Sequence, residues 1–141
     1  QELIAYFSKQ SEDTLIVFFG DHQPSDAVVG PILSQQDRTR REPTLEEEAL
    51  RYQVPFFLWA NFDIEEESGL WTSSNYLGMK TLEAAGLPQP ACFSFLQELF
   101  KEAPVLSVSH VLLSDNTLHQ VKEVKERLSK YQSLQYYLLF D

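Results

Sequence analysis

The sequence is poor in the features that mark disulfide scaffolds, membrane spans and nucleic-acid binders. It holds a single cysteine, Cys92, among 141 residues. That excludes an internal disulfide and any CxxC-type zinc or iron–sulfur site, but does not fix a compartment. Long apolar runs are missing. Runs such as Leu15–Phe19 and Phe56–Ala60 fall far below the roughly 18–20 residues that cross a bilayer. Basic charge is scarce: 11 Lys and Arg stand against 21 Asp and Glu, a formal net charge of -10. A phosphate backbone needs a basic face, so nucleic acid is not an expected partner. Electrostatic docking on anionic lipid is disfavoured for the same reason. Gln1, Glu2 and Leu3 offer neither the basic n-region nor the apolar h-region of a signal peptide. Opening on Gln rather than Met, the sequence reads as a piece of a longer protein. With 43% hydrophobic residues, there is enough apolar material to bury a core in one domain or part of one.

The pattern along the chain is α/β. Leu3, Ile4 and Phe7 share one face of a short amphipathic helix. Residues 14–19, Thr-Leu-Ile-Val-Phe-Phe, are β-branched and aromatic without alternation. That predicts a strand buried on both faces. Residues 54–60 predict a second such strand, with Pro55 tolerable near its start. Between them, residues 25–52 read as a long surface excursion, helical from Thr44, where Thr44 and Glu47 form a capping box. Helices are predicted at 76–85, with Gly86 as the residue past its end, and at 92–102, ended by Pro104. A strand or hairpin is expected over 105–113, followed by a Ser114-Asp115-Asn116 turn. Val121, Val124 and Leu128, with Lys122/Glu126 and Glu123/Arg127 at i,i+4, predict a helix over 118–131. A final packed helix is expected over 134–140.

The sharp chemical feature is Gly20-Asp21-His22-Gln23-Pro24, placed where the first strand ends. Sites in open α/β sheets are built at the C-terminal ends of strands. Glycine allows a tight exit from the strand, and Pro24 stiffens it. A carboxylate oxygen and an imidazole nitrogen together suit a borderline divalent ion such as Zn²⁺ or Mn²⁺ better than Ca²⁺. The same pair also occurs as a plain loop turn.

Leu15-Ile16-Val17-Phe18-Phe19-Gly20-Asp21-His22-Gln23-Pro24 resembles the late metal-binding motif of the lipoteichoic acid synthase and phosphoglycerol transferase family. That family lies in the sulfatase branch of the alkaline phosphatase superfamily. Three later stretches resemble it in the same order. They are residues 54–61, Val-Pro-Phe-Phe-Leu-Trp-Ala-Asn; the helix from Ser73-Ser74-Asn75-Tyr76-Leu77-Gly78 to Gly86-Leu87-Pro88; and the closing residues 135–141. Residues 25–53 match least. The resemblance implies the C-terminal part of a sulfatase-like sandwich, a mixed sheet flanked by helices, with residues 1–141 a single domain or fragment of it. It implies phosphoryl transfer by a threonine nucleophile, with Asp21 and His22 as metal ligands. The metal would be divalent, manganese first, with zinc or magnesium as alternatives. The threonine and an early acidic ligand are expected ahead of residue 1, so no catalytic nucleophile is expected in this chain. It would then be inactive alone and expose a sheet edge meant for the missing part. The implied partners are a lipid-linked phosphoglycerol-type substrate and the remainder of the catalytic domain. The implied location is the outer face of a bacterial cell membrane, behind transmembrane helices of the parent protein. Alternatives are a sulfatase or phosphoethanolamine transferase of the same superfamily, or a degenerate binding or assembly domain.

The remaining polar residues have plainer readings. His110 and His119 read as surface or structural, and Cys92 as a buried structural thiol. The acidic runs at Glu46, Glu47, Glu48 and at Glu65, Glu66, Glu67 read as solvated faces. Trp59 reads as core, whereas Trp71 stays open between a loop residue and a stacking platform. Arg38, Arg40 and Arg41 could meet a phosphate or lipid head group, or line a solvent-facing loop. Asn61-Phe62-Asp63 reads as a structural turn.

Overall fold

The computed structural model describes residues 1–35 and 42–140. Arg38, Arg40 and Arg41 lie outside the described residues. The chain is α/β, with small antiparallel sheets flanked by helices. It divides into two compact units, Gln1–Glu66 and Glu67–Asp141. No helix among the described residues is long and apolar enough to cross a membrane.

The first unit runs α1 (Glu2–Phe7), β1 (Leu15–Phe19), α2 (Asp26–Gln35), α3 (Leu45–Leu50) and β2 (Phe56–Ala60). β1 and β2 pair antiparallel, Leu15 opposite Ala60 and Phe19 opposite Phe56. Leu15, Val17, Phe19, Phe56, Leu58 and Ala60 share one face of this ribbon. Ile16, Phe18, Phe57 and Trp59 share the other, where the Phe18 and Phe57 rings stack at 5.2 Å. The expectation of strands buried on both faces is not met. Phe18, Phe19 and Phe57 are 56%, 53% and 43% exposed, and Trp59 is half-buried. Two strands cannot cover one another's faces, and no further strand pairs with this ribbon among the described residues. α3 opens on the expected capping box: Thr44 Oγ1 accepts from the Glu47 amide, and the Glu47 carboxylate accepts from the Thr44 amide. α2 was not legible, because Pro31 lies inside it.

Both ends of the ribbon are tied by side-chain carboxamides. At one end Asn61 Oδ1 accepts from the Thr14 amide at 2.7 Å. Its Nδ2 lies within donating distance of the carbonyls of Phe7 (3.2 Å), Gln10 (3.3 Å) and Glu12 (2.9 Å). At the other end Gln23 Nε2 donates to the carbonyl of Gln53. Gly20 continues the ladder by donating to the Pro55 carbonyl at 3.0 Å. Glycine is needed there for close approach rather than for a left-handed φ. A Cβ on Gly20 would meet Val54 Cβ at 2.9 Å.

The second unit runs α4 (Ser74–Ala84), α5 (Ala91–Glu102), β3 (Val105–Leu106), β4 (His110–Leu112), β5 (Leu118–Gln120), a 3-10 turn at Val121–Glu123 and α6 (Ser129–Phe140). β3, β4 and β5 form an antiparallel meander. α4 ends in a Schellman motif: Leu87 N–H bonds the Leu82 carbonyl, Gly86 N–H bonds that of Glu83, and Gly86 takes φ 63°. Tyr76 and Met79 of α4, Leu96 and Leu99 of α5, then Ala103, Val111, Leu113, Val124 and Leu128 form the core. The predicted helix over 118–131 is instead β5, the 3-10 turn and a turn leading into α6. Leu118, His119 and Gln120 pair with β4, so ladder bonds outweigh the i,i+4 charge pattern, while Val124 and Leu128 are still buried. α6 is helical as expected but has no buried residue, and Leu139 is 74% exposed.

Two outcomes follow from this packing. Gly20→Ala forces Val54 away from β1 and lowers stability by about 1–3 kcal/mol. Calorimetry on Gly20→Ala alone and in a Val54→Gly background checks this, the loss being smaller in the second. Tyr76 is buried and donates to the Ala103 carbonyl at 2.9 Å. Burial raises its pKa far above the ordinary tyrosine value, because the phenolate would lose its hydration. With the folded value above the unfolded one, the stability tied to Tyr76 is complete below the ordinary tyrosine range. It is lost as pH rises from there toward the folded value. Urea unfolding from neutral into alkaline pH is expected to show this loss. Tyr76→Phe reduces the alkaline slope and costs about 1 kcal/mol at neutral pH for the lost hydrogen bond.

Candidate metal centre

β1 carries the chain out to Asp21 and His22, and α2 begins at Asp26 beyond them. Ser25 starts that helix, its carbonyl accepting from the amides of Val28 and Val29 at 2.9 and 3.1 Å. The four residues between Phe19 and Pro24 are therefore fixed by a ladder on one side and a helix on the other. Gly20 and Gln23 within them bond back to Pro55 and Gln53. Asp21 and His22 themselves project outward, with side chains 82% and 77% exposed.

The two side chains converge. Asp21 Oδ1 accepts from the His22 amide at 2.9 Å, which turns the carboxylate toward the ring. Asp21 Oδ2 lies 3.3 Å from His22 Nε2. His22 Nδ1 lies 2.9 Å from the Gln23 carbonyl oxygen. A carbonyl oxygen only accepts, so Nδ1 carries the proton in that bond. In the neutral ring Nε2 then presents a lone pair to the carboxylate. Two acceptors face each other at 3.3 Å, and a cation between them, proton or metal ion, satisfies both. Donors bound to one ion at about 2.0–2.2 Å lie roughly 2.8–3.6 Å apart, from octahedral to tetrahedral geometry. The pair therefore fits two positions of a divalent site in both chemistry and spacing. Among the described residues no group of three or more His, Cys, Asp or Glu could hold a metal ion.

The other candidates are placed apart from this pair. His110 is buried at 4% exposure, its Nδ1 lying 2.8 Å from Ser107 Oγ within the β3–β4 hairpin. His119 has Thr117 Oγ1 at 2.9 Å from Nε2 and Glu123 at 3.7 Å from Nδ1, along the edge of the meander. The Thr117 hydroxyl and amide donate to Asp115 and hold that carboxyl below the usual range. Cys92 is half-buried and unpaired with another cysteine. Trp71 is exposed. Glu46 and the run Glu65, Glu66, Glu67 are exposed, whereas Glu47 serves the α3 cap. Sequence reasoning missed the bonds made by Gln23 and Asn61. The only signal for Gln23 was its place between His22 and a proline.

Comparison with curated proteins and with solved structures gives no match. The Sulfatase family model matches residues 1–87. That span is more than half of the chain and contains β1, the Asp21-His22 pair, β2 and α4. The chain belongs to the sulfatase family, within the alkaline phosphatase superfamily.

Proposed function

We propose that Asp21 and His22 supply part of the metal site of a phosphoglycerol transferase, or of a hydrolase or transferase of a related phosphoester. The superfamily consists of enzymes of phosphate and sulfate esters that typically use a divalent metal, and the metal proposed here is manganese. One observation carries the reading: a carboxylate oxygen and an imidazole nitrogen converge to 3.3 Å at the end of β1. The sequence from Leu15 to Pro24 supports the phosphoglycerol-transferring branch, because it resembles the metal motif of that family. The substrate in this reading is a lipid-linked phosphoglycerol at the outer face of a bacterial membrane. The remaining ligands and a hydroxyl nucleophile come from outside these 141 residues.

A bound divalent ion supplies charge neutralisation at phosphoryl oxygens and makes a hydroxyl easier to deprotonate. This chain's own residues present and orient the donors. Asp21 offers a hard anionic oxygen, and its second oxygen is occupied by the His22 amide. His22 offers Nε2 because Nδ1 is engaged. Gly20, packed on Val54, fixes where the loop leaves the ladder.

The test uses the protein in which this chain is embedded, wild type and as folded Asp21→Ala and His22→Ala variants. Metal content is measured together with turnover of a phosphoglycerol diester and of a sulfate ester. Each variant is expected to lose the metal and to slow diester turnover at least about 100-fold. Preferred turnover of the sulfate ester replaces the phosphoglycerol reading with a sulfatase. Metal and turnover surviving both substitutions reduce the pair to a loop turn. A wild type without metal or turnover is a degenerate binding domain. The 141-residue chain alone is expected to turn over neither substrate.

A further inference from the structure

We infer that Gln23 is a positioning residue for His22, acting through both its backbone and its side chain. The inference rests on the metal-site reading only for its consequence; the positioning itself is independent of any metal. Three observations meet at this residue. The Gln23 carbonyl accepts the His22 Nδ1 proton at 2.9 Å. Its side-chain Nε2 donates to the backbone carbonyl of Gln53, 30 residues away and next to β2. Pro24 follows it and restricts its backbone to extended conformations.

Each of these has a distinct effect. Without a partner for Nδ1, an exposed imidazole exchanges freely between its tautomers and rotates about its side-chain bonds. The Gln23 carbonyl selects the Nδ1–H form, and so aims the Nε2 lone pair at Asp21 Oδ2. That carbonyl stays in place only if residue 23 does. The bond to Gln53 and the restriction from Pro24 hold it against the ribbon. Partners of this kind, one bond behind a ligating imidazole, set tautomer and ring orientation at metal sites. Gln53 acts only through its backbone, so its side chain is dispensable.

The test is imidazole ¹⁵N NMR on the 141-residue chain, labelled at its three histidines. It is run without metal at alkaline pH on wild type, Gln23→Ala, Gln23→Glu and Gln53→Ala. Glutamate at 23 keeps the shape but cannot donate to the Gln53 carbonyl when ionised. Wild type and Gln53→Ala are expected to show His22 protonated at Nδ1. Gln23→Ala and Gln23→Glu are expected to show averaged tautomers while His110 and His119 signals stay unchanged. Zn²⁺ is then added. It is expected to shift Nε2 of wild-type His22, with a midpoint about 10-fold or more higher for the Gln23 variants. A wild-type His22 protonated at Nε2, or one with averaged tautomers, overturns the inference even if no variant folds. So does an unchanged tautomer in folded Gln23→Ala. A fixed Nδ1–H tautomer that depends on Gln23, with no response of Nε2 to Zn²⁺, upholds the positioning role and counts against the metal reading.

Discussion

The pairing of β1 with β2 is the constraint on which the first unit depends. The ribbon has only two strands, and Ala49 is the one buried hydrophobic residue among the described residues of that unit. Apolar burial alone would leave such a ribbon marginal. Its register is secured at the ends by polar bonds. Asn61 gathers the turn before β1, and Gln23 ties the loop after β1 to the residue before Val54. Between these ties, Gly20 lets the backbone pass Val54 at a distance no side chain would permit. The position of Asp21 and His22 follows from that geometry. They are exposed, yet their backbone is fixed on both sides.

The second unit is held in a different way. Its helices α4 and α5 close over a meander through a contiguous apolar core. The Tyr76 ring packs edge-on against Phe100 at 5.2 Å, and its hydroxyl answers the carbonyl of Ala103 just past α5. Lys80 lies 4.8 Å over the Phe100 ring and pairs with Glu83. None of the residues proposed for chemistry belongs to this core.

Much of this was legible in the sequence, for reasons that can be named. β-branched and aromatic runs marked β1 and β2, and Gly86 and the Thr44–Glu47 box marked helix ends. Both strands are apolar on both faces, so their sequences carried no signal for which face would remain uncovered or how they would pair. The stretch after Thr117 was misread because ion-pair spacing is a weak local preference. Pairing of Leu118–Gln120 with β4 is a tertiary interaction that outweighs it. α2 was hidden by Pro31, which argues against a helix interior. For the site, adjacency of Asp21 and His22 at a strand end was visible. Their convergence was not, because it depends on which acceptor His22 Nδ1 finds. Nor could the carboxamide ties be read. Their partners are backbone carbonyls and, for Asn61 Oδ1, the Thr14 amide, 30 to 54 residues away, and backbone groups have no sequence signature.

The most direct measurement is Mn²⁺ titration of the 141-residue chain followed by amide NMR. A net charge of -10 gives manganese several acidic stretches to visit, so where the ion goes first is decisive. Paramagnetic broadening is expected to begin at Asp21, His22 and Gln23, and His22→Ala is expected to remove it. Broadening that begins at Glu46–Glu48 or Glu65–Glu67 while Asp21 and His22 stay sharp would contradict it.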